Sequence, residues 1–476
     1  MMGGIDRREV GYYSTPAFVA RFIGEEMLSI NPKGRYVLDP AVGKGELLPL
    51  FIERGKEIEA FDIVDYGGHE GSAFSQCNFI EYFKELQLDS LFSSVFETKY
   101  DYIIANPPYN CHEVSYIQQN KKWLKSLFPV GAYNMYSMFL SAMIDVAKEG
   151  CVIGVIVSDS FLTATFHAAL RKKIFDECSV HELILCPTDL FWKQQADVRT
   201  CIMILQKGRK YQSKVKIANR PSNVAEFREV LERRRFQTKT VDEIRLKAAG
   251  HQIVVDVDDA IVRLFEGESR VGEKFKCVTC VSTGNDAKYL RKKKENGYTV
   301  PFYKNPASRK FRCTPDAYLI DTYMESSAND KNFMVRNKNL IGREGIVCSS
   351  MGLPFSAAYL PSNGVAGVNA SIYPPHDDIF WLLSYLNSSL VTYLVRGVLI
   401  RSNMVTSGYV STLPLPKFSN SEKKHLSEIS QSVITGKQKV DEAIVSINAV
   451  VYSHCGFDND LVNKINRFSK NIAVAV

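Results

Sequence analysis

Up to about Lys207 the chain alternates short apolar runs with longer amphipathic stretches, and this alternation constrains the fold more than any other feature. The apolar runs lie at 35–38, 58–63, 100–105, 151–157 and 183–185; the first ends at Asp39, the second near Asp62, and the third just before Asn106. Runs of this length bounded by polar turns are strand-sized, whereas 135–148 and 166–177 read as helices. Strands alternating with helices predict an α/β fold built on a parallel, doubly wound sheet, a Rossmann-like arrangement that binds ligands beyond the carboxyl ends of its strands. The motifs that carry chemistry all fall at such ends.

Composition narrows the class. The chain has 476 residues, 45% hydrophobic and 23% charged, which fits a soluble globular protein of two or three domains. A net charge of +7 permits a polyanionic partner without demanding one. The 11 cysteines are scattered and no export signal precedes them, so reduced thiols and a cytoplasmic location are expected. Cys277 and Cys280 form a Cys-x-x-Cys pair, but no second pair follows at zinc-site spacing, and no metal is expected. Runs such as 151–157 are too short to span a bilayer.

Two domains and a connector follow from the composition shifts. Residues 1–210 read as a catalytic α/β domain, and 211–250, rich in Arg and Lys up to the run Arg233, Arg234 and Arg235, as a basic, mostly helical connector. Residues 251–476 read as a mixed α+β domain with many turns, closing on one amphipathic helix at 421–450.

The sharpest motif is Asn106-Pro107-Pro108-Tyr109, directly after the run 100–105. The lone pair of an exocyclic aromatic amine is delocalised into its ring, so the nitrogen is a weak nucleophile. Two acceptors that take both N–H hydrogens push it towards sp³ geometry and free that pair. The Asn106 side-chain oxygen and the Pro107 carbonyl can be those acceptors, the double proline restricting where the carbonyl points. Tyr109 offers an aromatic face for a base removed from its stack. Read alone, the tetrapeptide also fits a turn that caps a strand.

The second motif runs from Val37 through Asp39, Pro40, Ala41, Val42, Gly43, Lys44 and Gly45 to Glu46. A strand enters a loop with two glycines and then a helix, where backbone can approach a ligand closely and a negative group is favoured. The third glycine of the dinucleotide pattern is missing and no Lys-Ser/Thr pair follows, so a methionine carboxylate fits better than a pyrophosphate. Asp62, closing the next strand, is placed to accept from ribose hydroxyls.

Together these motifs resemble the amino-methyltransferases of DNA, particularly the TaqI-like, gamma-class adenine-specific group and the related type IIG enzymes. The resemblance implies S-adenosyl-L-methionine as cofactor and transfer of its methyl group to the N6 amine of a flipped-out adenine in double-stranded DNA. It makes Tyr13, Thr15 and Pro16, within Tyr-Tyr-Ser-Thr-Pro, a turn over the methionine end of the cofactor. Ile63 beside Asp62, the pair Asn78-Phe79, and Asn106 itself complete the implied cofactor set; the family commonly has Asp where Asn78 stands. Residues 154–162 resemble the next strand-and-turn motif, and Phe191, or its neighbour Trp192, a second aromatic that packs on the flipped base. Enzymes of this kind acting on cytosine usually carry Ser in place of Asn106, which favours adenine. Similar tetrapeptides occur in enzymes that methylate a glutamine amide or adenine in RNA, so both remain as alternative substrates.

In the C-terminal half, Ser282, Thr283, Gly284, Asn285 and Asp286, and the segment from Trp381 to Ser389, resemble parts of specificity regions, which implies a target-recognition domain. Basic residues interleaved with aromatics, from Tyr289 and Arg291 through Lys292, Lys293 and Lys294 to Tyr303, Arg309, Lys310 and Arg312, suit tracking of phosphates and stacking of bases. The expected assembly is a monomer acting on DNA in the cytoplasm, associated with the nucleoid through DNA, with flipping of the base into a cleft between two domains. With the first cofactor strand so near the N-terminus, no fused nuclease is expected before it, which leaves room for a separate cognate restriction endonuclease.

Overall fold

The structure, a computed structural model, describes residues 12–90, 99–109, 115–192, 198–208, 214–255, 257–307, 309–312, 314–351, 354–399 and 404–474. The chain divides into two units, Met1–Asp256 and Val257–Val476. In the first, the predicted strands appear with helices between them. In chain order they are α1 (Ala17–Ile30), β1 (Tyr36–Asp39), α2 (Pro49–Glu53), β2 (Glu57–Asp62), β3 (Ala73–Gln76), α3 (Phe79–Ser90), β4 (Tyr102–Ala105), α4 (Ser115–Leu127), α5 (Met135–Val146) and β5 (Val152–Ser158). There follow α6 (Ala168–Glu177), β6 (Cys178–Leu185), β7 (Thr200–Lys207), β8 (Lys214–Ala218), α7 (Val224–Glu232) and β9 (Gln237–Thr240).

The strands form one nine-stranded sheet in the order β3-β2-β1-β4-β5-β7-β6-β8-β9. Strands β1 to β5 are mutually parallel. The expected all-parallel sheet is nevertheless mixed, because β7 runs antiparallel between β5 and β6. Residues 186–199, which join β6 to β7, hold no crossover helix among the described residues, and a strand reached without one returns antiparallel.

The expected helical connector at 211–250 is likewise corrected: β8 and β9 extend this same sheet, with α7 between them in the chain. Lys214, Val215, Lys216 and Ile217 alternate with a period of two, and Val215 and Ile217 are buried at 0% and 1% exposure. Lys216 turns outward to pair with Glu26 at 3.0 Å and Glu182 at 2.9 Å, so its charge belongs to the fold.

Sheet order puts the reversal of direction beside β1, since the chain goes from β1 to β2 and β3 on one side and to β4 and β5 on the other. The carboxyl ends of β1 and β4 are therefore neighbours at the switch point, where such sheets leave a crevice. Their buried faces fix that geometry: Val37, Leu38, Ile103 and Ile104 are at most 1% exposed, and each contributes on the order of 2 kcal/mol of transfer free energy. Helix α1 lies on β5 and β7, and α5 on β5 from within a layer shared with α3 and α6. Gly154 makes the α1 contact feasible, because a Cβ there would stand 2.3 Å from Met27 Sδ and 2.8 Å from Ile23.

The second unit holds a five-stranded sheet in the order Lys276–Val278, Ser371–Tyr373, Gly345–Cys348, Ala357–Leu360, Phe311–Arg312. Leu290–Arg291, Ala317–Leu319, Val300–Tyr303 and Val365–Ala366 form a four-stranded sheet in that order. The single helix expected at 421–450 is two, Asn420–Ile434 and Val440–Cys455, broken where Gly436 takes φ +77°. The segment from Trp381 to Ser389, expected among the recognition elements, lies in the interior. Asn387 binds the Ala357 backbone through both its oxygen (3.0 Å) and its nitrogen (2.9 Å), and Ser384 Oγ donates to Leu426 O at 2.7 Å. Cys277 donates to Ser407 O and Cys280 contacts Tyr373 Oη, and no His, Cys, Asp and Glu cluster among the described residues can hold a metal. No described helix is long and apolar enough to cross a membrane.

Candidate active site

Asn106 stands at the end of β4, and three contacts fix its amide. Its Nδ2 donates to Tyr13 O at 2.7 Å and to Thr15 Oγ1 at 3.0 Å, while its Oδ1 accepts from Tyr109 Oη at 2.5 Å. A backbone carbonyl can only accept, so the amino side of the amide must face Tyr13 and the oxygen must face away from it. Thr15, at 4% exposure, presents its hydroxyl to Asn106 from the N-cap region of α1, with Pro16 as the residue before the helix. The Tyr-Tyr-Ser-Thr-Pro segment therefore meets the Asn-Pro-Pro-Tyr segment directly, through the side chain of Asn106.

Tyr109 is buried, its hydroxyl also reaching Ile156 O at 3.2 Å, and burial pushes its phenol well above the usual range. Its ring stacks on Tyr13 with centroids 5.6 Å apart, and Phe191, fully buried, closes the cluster at 6.3 Å from Tyr109 and 5.9 Å from Tyr13. Neither Tyr109 nor Phe191 thus presents an open face in this arrangement, whereas Trp192 is 75% exposed.

The glycine loop lies one strand away. Gly43 and Gly45 take φ +56° and +76°, the left-handed region that glycine adopts without a steric penalty. A Cβ at Gly43 would stand 2.5 Å from the Tyr12 ring, which covers the loop, stacks on Tyr66 and hydrogen-bonds Glu46. Asp62 ties β2 to the loop: one carboxylate oxygen accepts from Gly43 N at 2.8 Å and the other from Val64 N at 3.1 Å. Ile63 beside it is 50% exposed.

Asp39 is fully buried at the end of β1. Its Oδ1 accepts from Ala41 N at 3.1 Å across the Pro40 turn, but its Oδ2 has no hydrogen-bond partner among the described residues. Burial, reinforced by the charges of Asp62 and Glu46, holds its carboxyl well above the usual range. A buried oxygen of this kind wants a donor. Asn78 caps α3, its Oδ1 accepting from Ile80 N at 3.0 Å, while Phe79 sits in the core at 1% exposure against Phe61 and Phe139. Of that expected pair, only Asn78 has a polar group to offer a ligand.

Two features of this carboxyl edge escape the sequence motifs. Tyr136 Oη joins Ser160 Oγ at 2.7 Å and His167 Nε2 at 2.9 Å, and burial, with help from the Arg171 guanidinium, pushes the imidazole down to about 3. Arg220, just past β8, pairs with buried Asp159 after β5 and donates to Cys186 O after β6. It thereby clamps together two loops, one of which carries Phe191. Its signal in the sequence was only one more cation in a basic stretch.

The Type II methyltransferase M.BanIII of Aneurinibacillus aneurinilyticus is 26% identical over 216 residues, 39% of this chain and 37% of that one. A putative type II restriction enzyme and methyltransferase of Methanocaldococcus jannaschii, RM.MjaORFECS2P, is 29% identical over 111 residues, 23% of this chain and 9% of that one. The aligned stretches thus span well under half of these curated relatives. Among solved structures, the Type IIL restriction-modification enzyme MmeI in complex with DNA matches 98% of this chain and 80% of its own (TM-score 0.66, 10% identity). The DrdV–DNA complex matches 90% of this chain and 57% of its own (TM-score 0.58, 12% identity). At such identities these likenesses concern the fold alone. Residues 5–249, just over half of the chain, match the N-6 DNA methylase family, and the chain belongs to that family.

Proposed function

We propose that this protein transfers a methyl group from S-adenosyl-L-methionine to the N6 amine of adenine in double-stranded DNA, as the modification activity of a restriction-modification system. The observation that carries the reading is the oriented amide of Asn106, its nitrogen anchored on Tyr13 and Thr15 and its oxygen left to an O–H donor at the mouth of the switch point.

The residues present fit the cofactor. Gly43 and Gly45 hold the loop in the left-handed region, where side-chain-free backbone can approach a ligand closely, and the unpartnered Oδ2 of Asp39 suits the ammonium group of a methionine moiety. Asp62 keeps lone pairs for ribose hydroxyls, Ile63 an apolar surface and Asn78 a polar edge for the adenine end. When bound, the cofactor supplies an electrophilic methyl on a sulfonium centre.

Asn106 Oδ1 and the Pro107 carbonyl accept the two N–H hydrogens of the target amine and localise its lone pair for in-line attack. The substrate N–H takes the place of the Tyr109 hydroxyl on Oδ1, so Tyr109 swings from its buried position and its ring becomes a face for the base. Phe191 supports that ring from behind. No general base is needed, because the nitrogen turns acidic once methylated and releases its proton to water. The adenine leaves the duplex to reach this site. Residues 257–476 supply target recognition, and the chain works as a monomer in the cytoplasm, alongside a separate cognate endonuclease.

Incubation of the purified chain with labelled S-adenosyl-L-methionine and unmethylated genomic DNA tests the reading, with RNA and glutamine-containing peptide as parallel substrates. Label in DNA as N6-methyladenine is expected; label in RNA or peptide alone refutes it.

A further inference from the structure

Within the second unit a groove of about 370 Å³ is lined by Val281, Ser282, Thr283, Gly284, Asp286, Phe302, Lys304 and Val368. Its polar wall is built and held. Thr283 Oγ1 donates to one oxygen of Asp286 and Lys304 Nζ to the other. Gly284 takes φ +64°, and a Cβ there would stand 2.6 Å from Asn332 O, so the turn that aims Asp286 has one available shape. The Lys304 backbone is pinned in turn, its N donating to Asp316 at 2.6 Å. Lys304 and Asp286 remain about half exposed, at 48% and 47%, and Val368 leaves an apolar rim at 41% exposure.

The structure also sorts the basic and aromatic residues of the stretch from Tyr289 to Arg312. Tyr289 and Tyr303 are buried at 3% and 4% exposure and stack on no incoming base. Arg309 is spent on Asp316 and on the carbonyls of Asn305 and Pro306, and Lys310 donates to Asn387 O. Lys292, Lys293 and Lys294 stay exposed, and Lys292 is near enough to help hold the Asp286 carboxyl below its usual range, after Lys304 and Thr283. In the groove itself Asp286 and Lys304 set an acceptor and a donor side by side against the apolar rim of Val368, and Lys292, whose charge acts on Asp286, belongs to an exposed lysine run that attracts a polyanion.

We propose that this groove reads one base pair of the target sequence: Lys304 donates to acceptors on a purine edge, Asp286 accepts from an exocyclic amine, and Val368 touches the apolar part of the pair. Lys292, Lys293 and Lys294 hold the adjoining phosphates. This rests on the reading of the chain as a DNA methyltransferase and adds the place of recognition to it. Major-groove edges present the required pattern of acceptors and amines.

The test is sequencing of N6-methyladenine positions in unmethylated plasmid libraries treated with wild type, Lys304→Met and Lys292→Ala. Lys304 is half exposed, so its loss leaves the fold intact, which a thermal melt verifies. The expected result is that Lys304→Met relaxes discrimination at one position of the recognised sequence by about tenfold or more, the other positions holding. Lys292→Ala is expected to weaken methylation evenly across sequences and to flatten its dependence on salt. An unchanged recognised sequence for Lys304→Met, or an even loss at all positions, overturns the assignment of the groove while the methyltransferase reading stands. Absence of DNA methylation by wild type removes both.

Discussion

Replacing Thr15 by valine removes one hydroxyl and almost no volume. The residue is 4% exposed, and its Oγ1 is one of two acceptors for the Asn106 amino group, at 3.0 Å. Without it, one N–H of a part-buried amide loses its partner, which costs roughly 1–3 kcal/mol if nothing replaces it. Tyr13 O still holds the other N–H, so the amide is loosened and not flipped. The lost order falls on Oδ1, which matters most when the target nitrogen becomes pyramidal. We therefore expect the cost in the chemical step: kcat lower by about 5- to 100-fold, taking about 1.4 kcal/mol per factor of ten, with KM for DNA little changed. Single-turnover methylation with saturating labelled cofactor isolates that step. Thr15→Ser keeps the oxygen and is expected to recover most of the rate. Wild-type turnover by Thr15→Val, or a Thr15→Ser variant as slow as the valine, refutes the argument that the hydroxyl orients Asn106.

Other expectations follow from the same geometry. Gly43→Ala forces a side chain into φ +56° and against the Tyr12 ring, costing on the order of 1–2 kcal/mol before any repacking, so calorimetry is expected to show cofactor affinity about tenfold weaker; unchanged affinity refutes the loop as the binding site. Tyr109→Phe removes the hydroxyl that competes for Asn106 Oδ1 and keeps the ring, so KM for DNA is expected to fall or hold, whereas Tyr109→Ala loses stacking worth ~1–3 kcal/mol. Equal defects in the two variants contradict the exchange of donors on Oδ1. His167, pushed down to about 3, stays neutral in the folded chain, while the unfolded chain protonates through pH ~6.5 and binds more protons below it, so stability is lost as pH falls through that window. Relative to His167→Gln, wild type is expected to lose roughly 1.5 kcal/mol in urea melts between about pH 6.5 and about pH 5; parallel losses refute the burial argument.

What was legible in the sequence was what short stretches decide. A strand run closing on Asp39 and followed by two glycines, or one closing on Asn106 and two prolines, states its position in the sheet by itself, and the structure places both at the switch point. Features that need distant partners were not legible. The antiparallel β7 depends on a connection that shows no crossover helix among its described residues. The strand at Lys214–Ala218 was masked by its cations, although its period of two was readable. Phe79, quoted beside Asn78, is a core residue because Phe61 of β2 and Phe139 of α5 pack on it beside Tyr82 of its own helix. The burial of Tyr109 against Tyr13 and Phe191 joins residues from three parts of the chain, and its bond to Asn106 occupies the amide oxygen, neither of which the tetrapeptide shows by itself. Composition likewise gave no means of separating Tyr289 and Tyr303, which are core, from the lysines that remain exposed.

In the proposed reaction the oriented oxygen of Asn106 activates the amine of adenine in DNA. The most direct test of this activation compares wild type and Asn106→Ala in methyl transfer to unmethylated duplex DNA, with cofactor affinity measured alongside. Wild type is expected to yield N6-methyladenine and Asn106→Ala to lose transfer while largely keeping cofactor binding. Transfer that survives in Asn106→Ala, or label recovered on any acceptor other than the adenine amine, contradicts that role.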